Sequence, residues 1–156
     1  MGLEIERKFL VIPELWNNLK KDKGEVCIQT YLSTDPEKTI RARVLGDKAF
    51  LTIKGKTNHI SRTEFEYEIP LEEGKAIIDQ FGDKVLHKTR YKIPQDMHIW
   101  EVDVFHADND GLIVAEIELE AENDAFEIPS WIGDEVSDDP RYYNACLQDN
   151  PYKNWK

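Results

Sequence analysis

The sequence predicts a mainly β (α+β) chain in which eight antiparallel strands close into a barrel, with a few short helices laid over it. Three observations carry that expectation. Eight segments alternate apolar and polar residues with the strand period of two. The breaks between most of them are of hairpin length, which makes sequence neighbours antiparallel. Like charges also recur two residues apart and are sorted by sign from strand to strand: Glu4/Glu6, Arg41/Arg43, Glu64/Glu66/Glu68, Lys88/Arg90/Lys92, Glu101/Asp103 and Glu116/Glu118/Glu120.

The first strand reads Leu3 to Leu10, and Pro13 opens a short helix with Leu15, Trp16 and Leu19 on one face. Strands follow at Glu25 to Ser33 and, past Asp35-Pro36, at Thr39 to Leu45. Gly46-Asp47 is a two-residue hairpin signal, returning through Lys48 to Lys54. A polar loop, Gly55 to His59, precedes a long strand from Ile60 to Ile69 that Pro70 stops. Gly74, Ile77, Ile78 and Phe81 then recur at helical spacing up to Gly82. Three more strands are expected at Val85 to Ile93, His98 to Phe105 and Leu112 to Leu119, with turns at Pro94 and Asn109-Asp110-Gly111. Ser130 to Gly133 reads as a loop, and Asp139-Pro140 caps a last helix through Leu147.

Two arrangements satisfy this alternation. In one, the apolar face is the core and the charges are solvated, as on any half-buried sheet. In the other, the charged face lines a central tunnel and the helices cover the apolar face from outside. Ten acids against eight bases on the charged face fit a wet lumen better, because enclosed charges persist only when paired, hydrated or bound to ions.

At 156 residues the chain is the length of one domain, taken as 1–156. A net charge of −11 and a pI near 4.8 argue against nucleic acid and against an anionic membrane surface. Cys27 and Cys146 form no disulfide framework and no metal-spaced pair. No leader or spanning segment is read, so a cytoplasmic location is expected. The histidines at 59, 87, 98 and 106 lie apart from the acidic motifs. The many apolar positions that face outward point to a homodimer.

Glu4-Ile5-Glu6-Arg7-Lys8 resembles the E-x-E-x-K signature of the triphosphate tunnel metalloenzymes, also called CYTH proteins. The resemblance continues in order along the chain. Arg41-Ala42-Arg43 is similar to the R-x-R strand, Thr52-Ile53-Lys54 to T-x-K, and Arg62 to Glu66 to R-x-E-x-E. Lys88-Thr89-Arg90-Tyr91 resembles K-x-R-Y, Glu116-Ile117-Glu118 the closing E-x-E, and the stretches at 131–133 and 141–144 the end of short bacterial members. Thr30 and His59 depart from it, standing where glycine is common.

That resemblance implies an eight-stranded tunnel holding a triphosphate lengthwise with Mg²⁺ or Mn²⁺. Lys8, Arg41, Arg43, Lys54, Arg62, Lys88 and Arg90 are the substrate-binding candidates, since guanidinium forks and ammonium groups match phosphoryl oxygens. Glu4, Glu6, Glu64, Glu66, Asp103, Glu116 and Glu118 are the metal candidates, because carboxylates meet phosphates only across a cation. Lys8, Lys88 and Tyr31 are the catalytic candidates. The expected reaction is hydrolysis of inorganic tripolyphosphate to pyrophosphate and phosphate. The alternatives are a class IV adenylate cyclase, a thiamine or nucleoside triphosphatase, and a non-catalytic polyphosphate or nucleotide binder.

Overall fold

The computed structural model describes residues 2–155. Nine strands form one antiparallel sheet: β1 Gly2–Val11, β2 Glu25–Ser33, β3 Lys38–Leu45, β4 Lys48–Gly55, β5 Ser61–Ile69, β6 Leu86–Gln95, β7 His98–Phe105, β8 Ile113–Glu118 and β9 Ile132–Glu135. The helices are α1 Pro13–Asn17, α2 Leu71–Phe81 and α3 Asn144–Asp149. Among the described residues no helix is long and apolar enough to cross a membrane.

Strand order is β5-β4-β3-β2-β6-β7-β8-β1, and β1 closes the barrel by pairing with β5. β1 is long enough to serve three neighbours. One edge meets β8 through Glu6–Leu10; the other meets β5 through Gly2–Ile5 and then β9 through Phe9 and Val11. β9 corrects the reading of 130–133 as loop: at four residues it is too short to show alternation, and pairing with the exposed edge of β1 is what makes it a strand. The last helix is also interrupted. A 3₁₀ turn at Pro140–Tyr142 is separated from α3 by Tyr143, whose backbone is extended. The first helix ends at Asn17, so Leu19 lies beyond it.

The apolar strand faces point outward, as the tunnel arrangement requires. Ile5, Phe9, Val11, Trp100, Val102, Ala115 and Ile117 are buried against Trp16 of α1 and Trp131 and Ile132 of the later segment. Edge-on aromatic contacts join Phe9 to Trp100 and Trp16 to Tyr91. α2 covers another sector, over β3 and β4. Where β1, β4 and β5 are left bare, Leu3, Ile53, Phe65 and Tyr67 are exposed on the outside.

The inner face is not charged throughout. Beyond Lys8 the same parity of β1 carries Leu10, and the other strands contribute Leu86, Phe105 and Val114; these pack with Leu147 of α3 into a second apolar cluster. The C-terminal segment therefore reaches the inner face and closes one end of the barrel. Gln148 holds it there, accepting from the Tyr31 backbone N–H (2.7 Å) and donating to the Tyr31 carbonyl (3.2 Å). β6 stops pairing with β2 at Gln29, so the Gln148 amide takes the place of a strand partner.

Two departures from glycine have structural outcomes. His59 adopts φ of 60°, the left-handed conformation that glycine takes without strain. Thr30 is buried and its hydroxyl donates to the Lys84 carbonyl at 2.6 Å.

Gly74 sets how closely α2 approaches the barrel, because a Cβ there would collide with the Ala49 methyl. Gly74→Ala should therefore destabilise by about 1–3 kcal/mol, although alanine is the better helix former. Urea unfolding checks this, and an unchanged or raised midpoint would contradict the packing.

Candidate active site

The barrel encloses a cavity of about 670 Å³. Its charged lining is supplied by Glu4, Glu6 and Lys8 of β1, Arg41 and Arg43 of β3, Lys54 of β4, Arg62, Glu64 and Glu66 of β5, Arg90 of β6, Glu101 of β7 and Glu116 and Glu118 of β8. Tyr31 and the loop residues Lys56 and His59 also line it, as do Ser137, Tyr143 and Cys146 of the C-terminal segment. Of the expected site residues only Lys88 and Asp103 stand outside the lining. Glu68, Lys92 and Glu120 are solvent-exposed and also lie outside it.

Strand register brings opposite charges face to face. Lys8 is opposite Glu116, Lys54 opposite Glu64, and Arg90 opposite Asp103. Lys8 Nζ lies 3.3 Å from Glu116 and also donates to the Tyr142 carbonyl at 3.1 Å. Lys54 donates to both oxygens of Glu4 (3.0 and 2.9 Å). Behind the lining, Asp103 accepts from Arg90 Nε and Nη2 (2.8 and 2.9 Å) and from Lys88 Nζ (2.8 Å), so this carboxylate is fully engaged. On β4, the Thr52 hydroxyl donates to Glu66 at 2.7 Å, and the same Glu66 oxygen takes Arg41 at 3.2 Å and Arg43 at 3.4 Å.

The acids divide into two groups by environment. Burial alone would raise all of them. In Glu116 the charges of Lys8 and Arg90 outweigh burial and bring the carboxyl down to about 2. In Asp103, Arg90 and Lys88 outweigh it and hold the carboxyl below the usual range; in Glu66, Thr52 and the two arginines lower it. The second group is pushed up. Burial and then the carboxylates of Glu116 and Glu4 raise Glu6 well above its ordinary value. Burial and then Glu4 raise Glu64; burial, Glu4 and Glu64 raise Glu118. Glu4 is the carboxylate common to all three.

The cations show the same crowding. Burial, then Arg41 and Arg90, depress the Arg43 guanidinium. For Lys8 and Lys54 burial is outweighed by acidic neighbours, chiefly Glu116 and Glu4 respectively, so both are held firmly protonated. The cavity thus combines a crowded acidic cluster with a crowded basic one. Among the described residues no group of three or more His, Cys, Asp or Glu side chains is already arranged to hold a metal ion.

Sequence reasoning missed the C-terminal lining. Ser137, Tyr143 and Cys146 come from a tail without periodicity, and no local signal directs it to the lumen. Thr52, quoted only as part of a motif, proves to be the hydroxyl that joins Glu66 to Arg41 (3.2 Å).

An eight-stranded antiparallel barrel with inward acids and bases defines the class. Residues 2–143 match the CYTH domain, and the chain belongs to that family. An inorganic triphosphatase of Acetivibrio thermocellus is 48% identical, over 100% of this chain and 99% of the relative. An inorganic triphosphatase of Nitrosomonas europaea is 34% identical, over 92% and 95%. A solved inorganic triphosphatase structure superposes with a TM-score of 0.63 at 31% identity, covering 93% of each chain.

The two acid groups oppose each other in their effect on stability. Groups raised in the folded state bind protons before the unfolded chain does, so they add stability as pH falls. Depressed groups stay charged while the unfolded chain protonates, and their contribution is lost as pH falls further. With chelator present, thermal melts should show stability held or rising from pH 8 toward 5, then lost as pH drops toward about 2, where Glu116 protonates. A steady loss from pH 8 downward would contradict the assignment.

Proposed function

We propose that this chain hydrolyses inorganic tripolyphosphate to pyrophosphate and phosphate inside the barrel. One observation carries the reading: a single cavity holds crowded arginines and crowded carboxylates, each needing an opposite charge that the other, already partly engaged, does not supply. A linear polyanion answers the first need and a divalent cation the second.

The acidic cluster fits a hard cation in donor type, being all carboxylate oxygen. Glu4, Glu6, Glu64 and Glu118 are the residues that would hold it, with Glu4 and Glu64 giving up Lys54 to do so, because Glu66, Glu116 and Asp103 are each held by an arginine. Mg²⁺ or Mn²⁺ bound there would supply neutralisation of phosphoryl charge.

The remaining work falls to the chain's own groups. Arg41, Arg43, Arg90, Lys54 and Arg62 bind and align the phosphoryl groups, and positioning with charge stabilisation dominates this chemistry. Water forms the new P–O bond as the bridging P–O bond breaks, and pyrophosphate leaves with the electron pair. Lys8, protonated and facing the cavity, stabilises charge on the departing oxygen and with Tyr31 is placed to supply a proton. Lys88 acts from behind the lining by holding Asp103 against Arg90. The identity of the curated relatives and the agreement of the full-length fold support tripolyphosphate over an organic triphosphate.

Phosphate release should be fastest from tripolyphosphate and slower from ATP and thiamine triphosphate, and should vanish with chelator. Cyclic AMP formed from ATP at a comparable rate would instead indicate a cyclase, and tight binding without turnover a binding protein. Arg41→Ala should lower kcat/KM by about 10²–10³-fold, the weight of a lost charge-stabilising contact. Glu118→Gln should abolish turnover while leaving the metal-free melting temperature unchanged or higher, since it removes one of the mutually repelling carboxylates. A Glu118→Gln enzyme of normal activity would refute the metal assignment.

A further inference from the structure

We propose that Gln29 is a further anion-binding residue of the tunnel, its buried amide N–H joining the Nε groups of Arg41 and Arg43 in a donor floor for a phosphoryl oxygen. The inference rests on the tripolyphosphate reading above and adds a residue that its charged motifs do not contain.

Gln29 has the same parity on β2 as Tyr31 and is fully buried, with Arg43 of β3 and Leu86 of β6 as its cross-strand partners. Its carbonyl oxygen faces the thiol of Cys27, Sγ to Oε1 being 3.6 Å, which leaves Nε2 as the outstanding group. Nε2 has no acceptor, and neither do Arg41 Nε and Arg43 Nε. Both arginines direct Nη2 to Glu66 and keep Nε unused. Three buried nitrogens without acceptors, carrying four N–H groups, thus belong to two paired strands. A buried polar group left unmatched is costly, and such groups in a native chain call for a ligand, ion or water.

The choice among these follows from donor counting. Water would accept from the floor but bring two hydrogens of its own into a patch made of donors and positive charge. A phosphoryl oxygen is an acceptor only, and its negative charge relieves the crowding that depresses Arg43. Glutamine also suits the position better than another cation, since a neutral amide adds a donor without adding repulsion to Arg41, Arg43 and Arg90. Gln29 is not itself a lining residue but is the cross-strand partner of the lining residue Arg43, so the proposed contact requires the Arg43 side chain to shift when the anion binds.

The test is thermal stabilisation by tripolyphosphate in the presence of chelator, for wild type, Gln29→Leu and Gln29→Glu, with metal-supported hydrolysis run in parallel. Gln29→Leu should melt no lower than wild type without ligand, because it removes an orphaned donor. It should need about tenfold more tripolyphosphate for half-maximal stabilisation, with a matching rise in KM larger than the fall in kcat. Gln29→Glu, which puts a carboxylate on the floor, should lose the stabilisation. Gln29→Met gives the same reading should the branched leucine fail to fold. If Gln29→Leu or Gln29→Met melts lower yet binds tripolyphosphate as wild type does, the amide is structural and the proposal is overturned. That result with an active wild type leaves the hydrolase reading standing. A wild type stabilised by tripolyphosphate but inactive with Mg²⁺ and Mn²⁺ overturns the hydrolase reading alone, and one not stabilised at all overturns both.

Discussion

Enclosing charge is the constraint on which the rest of this structure depends. Carboxylates, guanidinium groups and ammonium groups occupy the inner faces of the strands, where water cannot surround each one freely. Such groups are tolerated in a fold only when partners or ions compensate them. Strand register supplies many of those partners: β1 and β8 place Lys8 against Glu116, β6 and β7 place Arg90 against Asp103, and the closing pair β1 and β5 places Glu4 against Arg62. The apolar faces are then turned outward and must be covered. α1, α2 and the segment from Phe126 to Ile132 do so over part of the wall, with Trp16, Trp100 and Trp131 as the main contacts.

Compensation within the lumen is deliberately incomplete in a physical sense. Asp103 is saturated by three donors and fixes Arg90, so the back wall is rigid. Glu66 serves two arginines with a single oxygen, while Arg41 and Arg43 each retain an unused Nε. On the opposing side burial and the shared Glu4 carboxylate raise the proton affinity of Glu6, Glu64 and Glu118, with Glu116 acting on Glu6 and Glu64 on Glu118. Free energy spent on holding like charges together in the empty protein is recovered when opposite charge enters. Ligand binding and folding stability are therefore linked through the same side chains.

Period-two charge patterning made most of this legible in the chain. A strand shows its two faces in sequence, so inward Glu4, Glu6 and Lys8 and outward Ile5 and Phe9 could be separated before any geometry was known. Strand limits such as Glu25–Ser33 and His98–Phe105 were set by turn residues that carry their own backbone preference. Two kinds of feature were not legible. β9 and the lining residues Ser137, Tyr143 and Cys146 depend on long-range docking, which leaves no local period. The split between lining Lys8 and recessed Lys88 was also hidden, for both are inward lysines in a charged strand. What differs is the surroundings: Lys8 lies opposite Glu116 at the cavity, whereas Lys88 lies between Cys27 and Phe105 and reaches Asp103 with its Nζ.

The apolar end of the barrel limits what the lumen can accept. Leu10, Leu86, Phe105 and Val114 pack with Leu147 along the inner face, so the charged cavity does not run the full length of the strands. A polar ligand entering from the side of Lys56 and Arg62 meets charged groups of both signs, Glu4 lying opposite Arg62, and an apolar barrier at depth. Short, linear, highly charged molecules can satisfy the buried donors without reaching that barrier. A bulky organic group attached to them would remain at the mouth, where its contacts could add affinity but could not replace the charge the deep arginines require. Depth and charge together thus select the phosphate chain, and the mouth alone is left to discriminate what it carries.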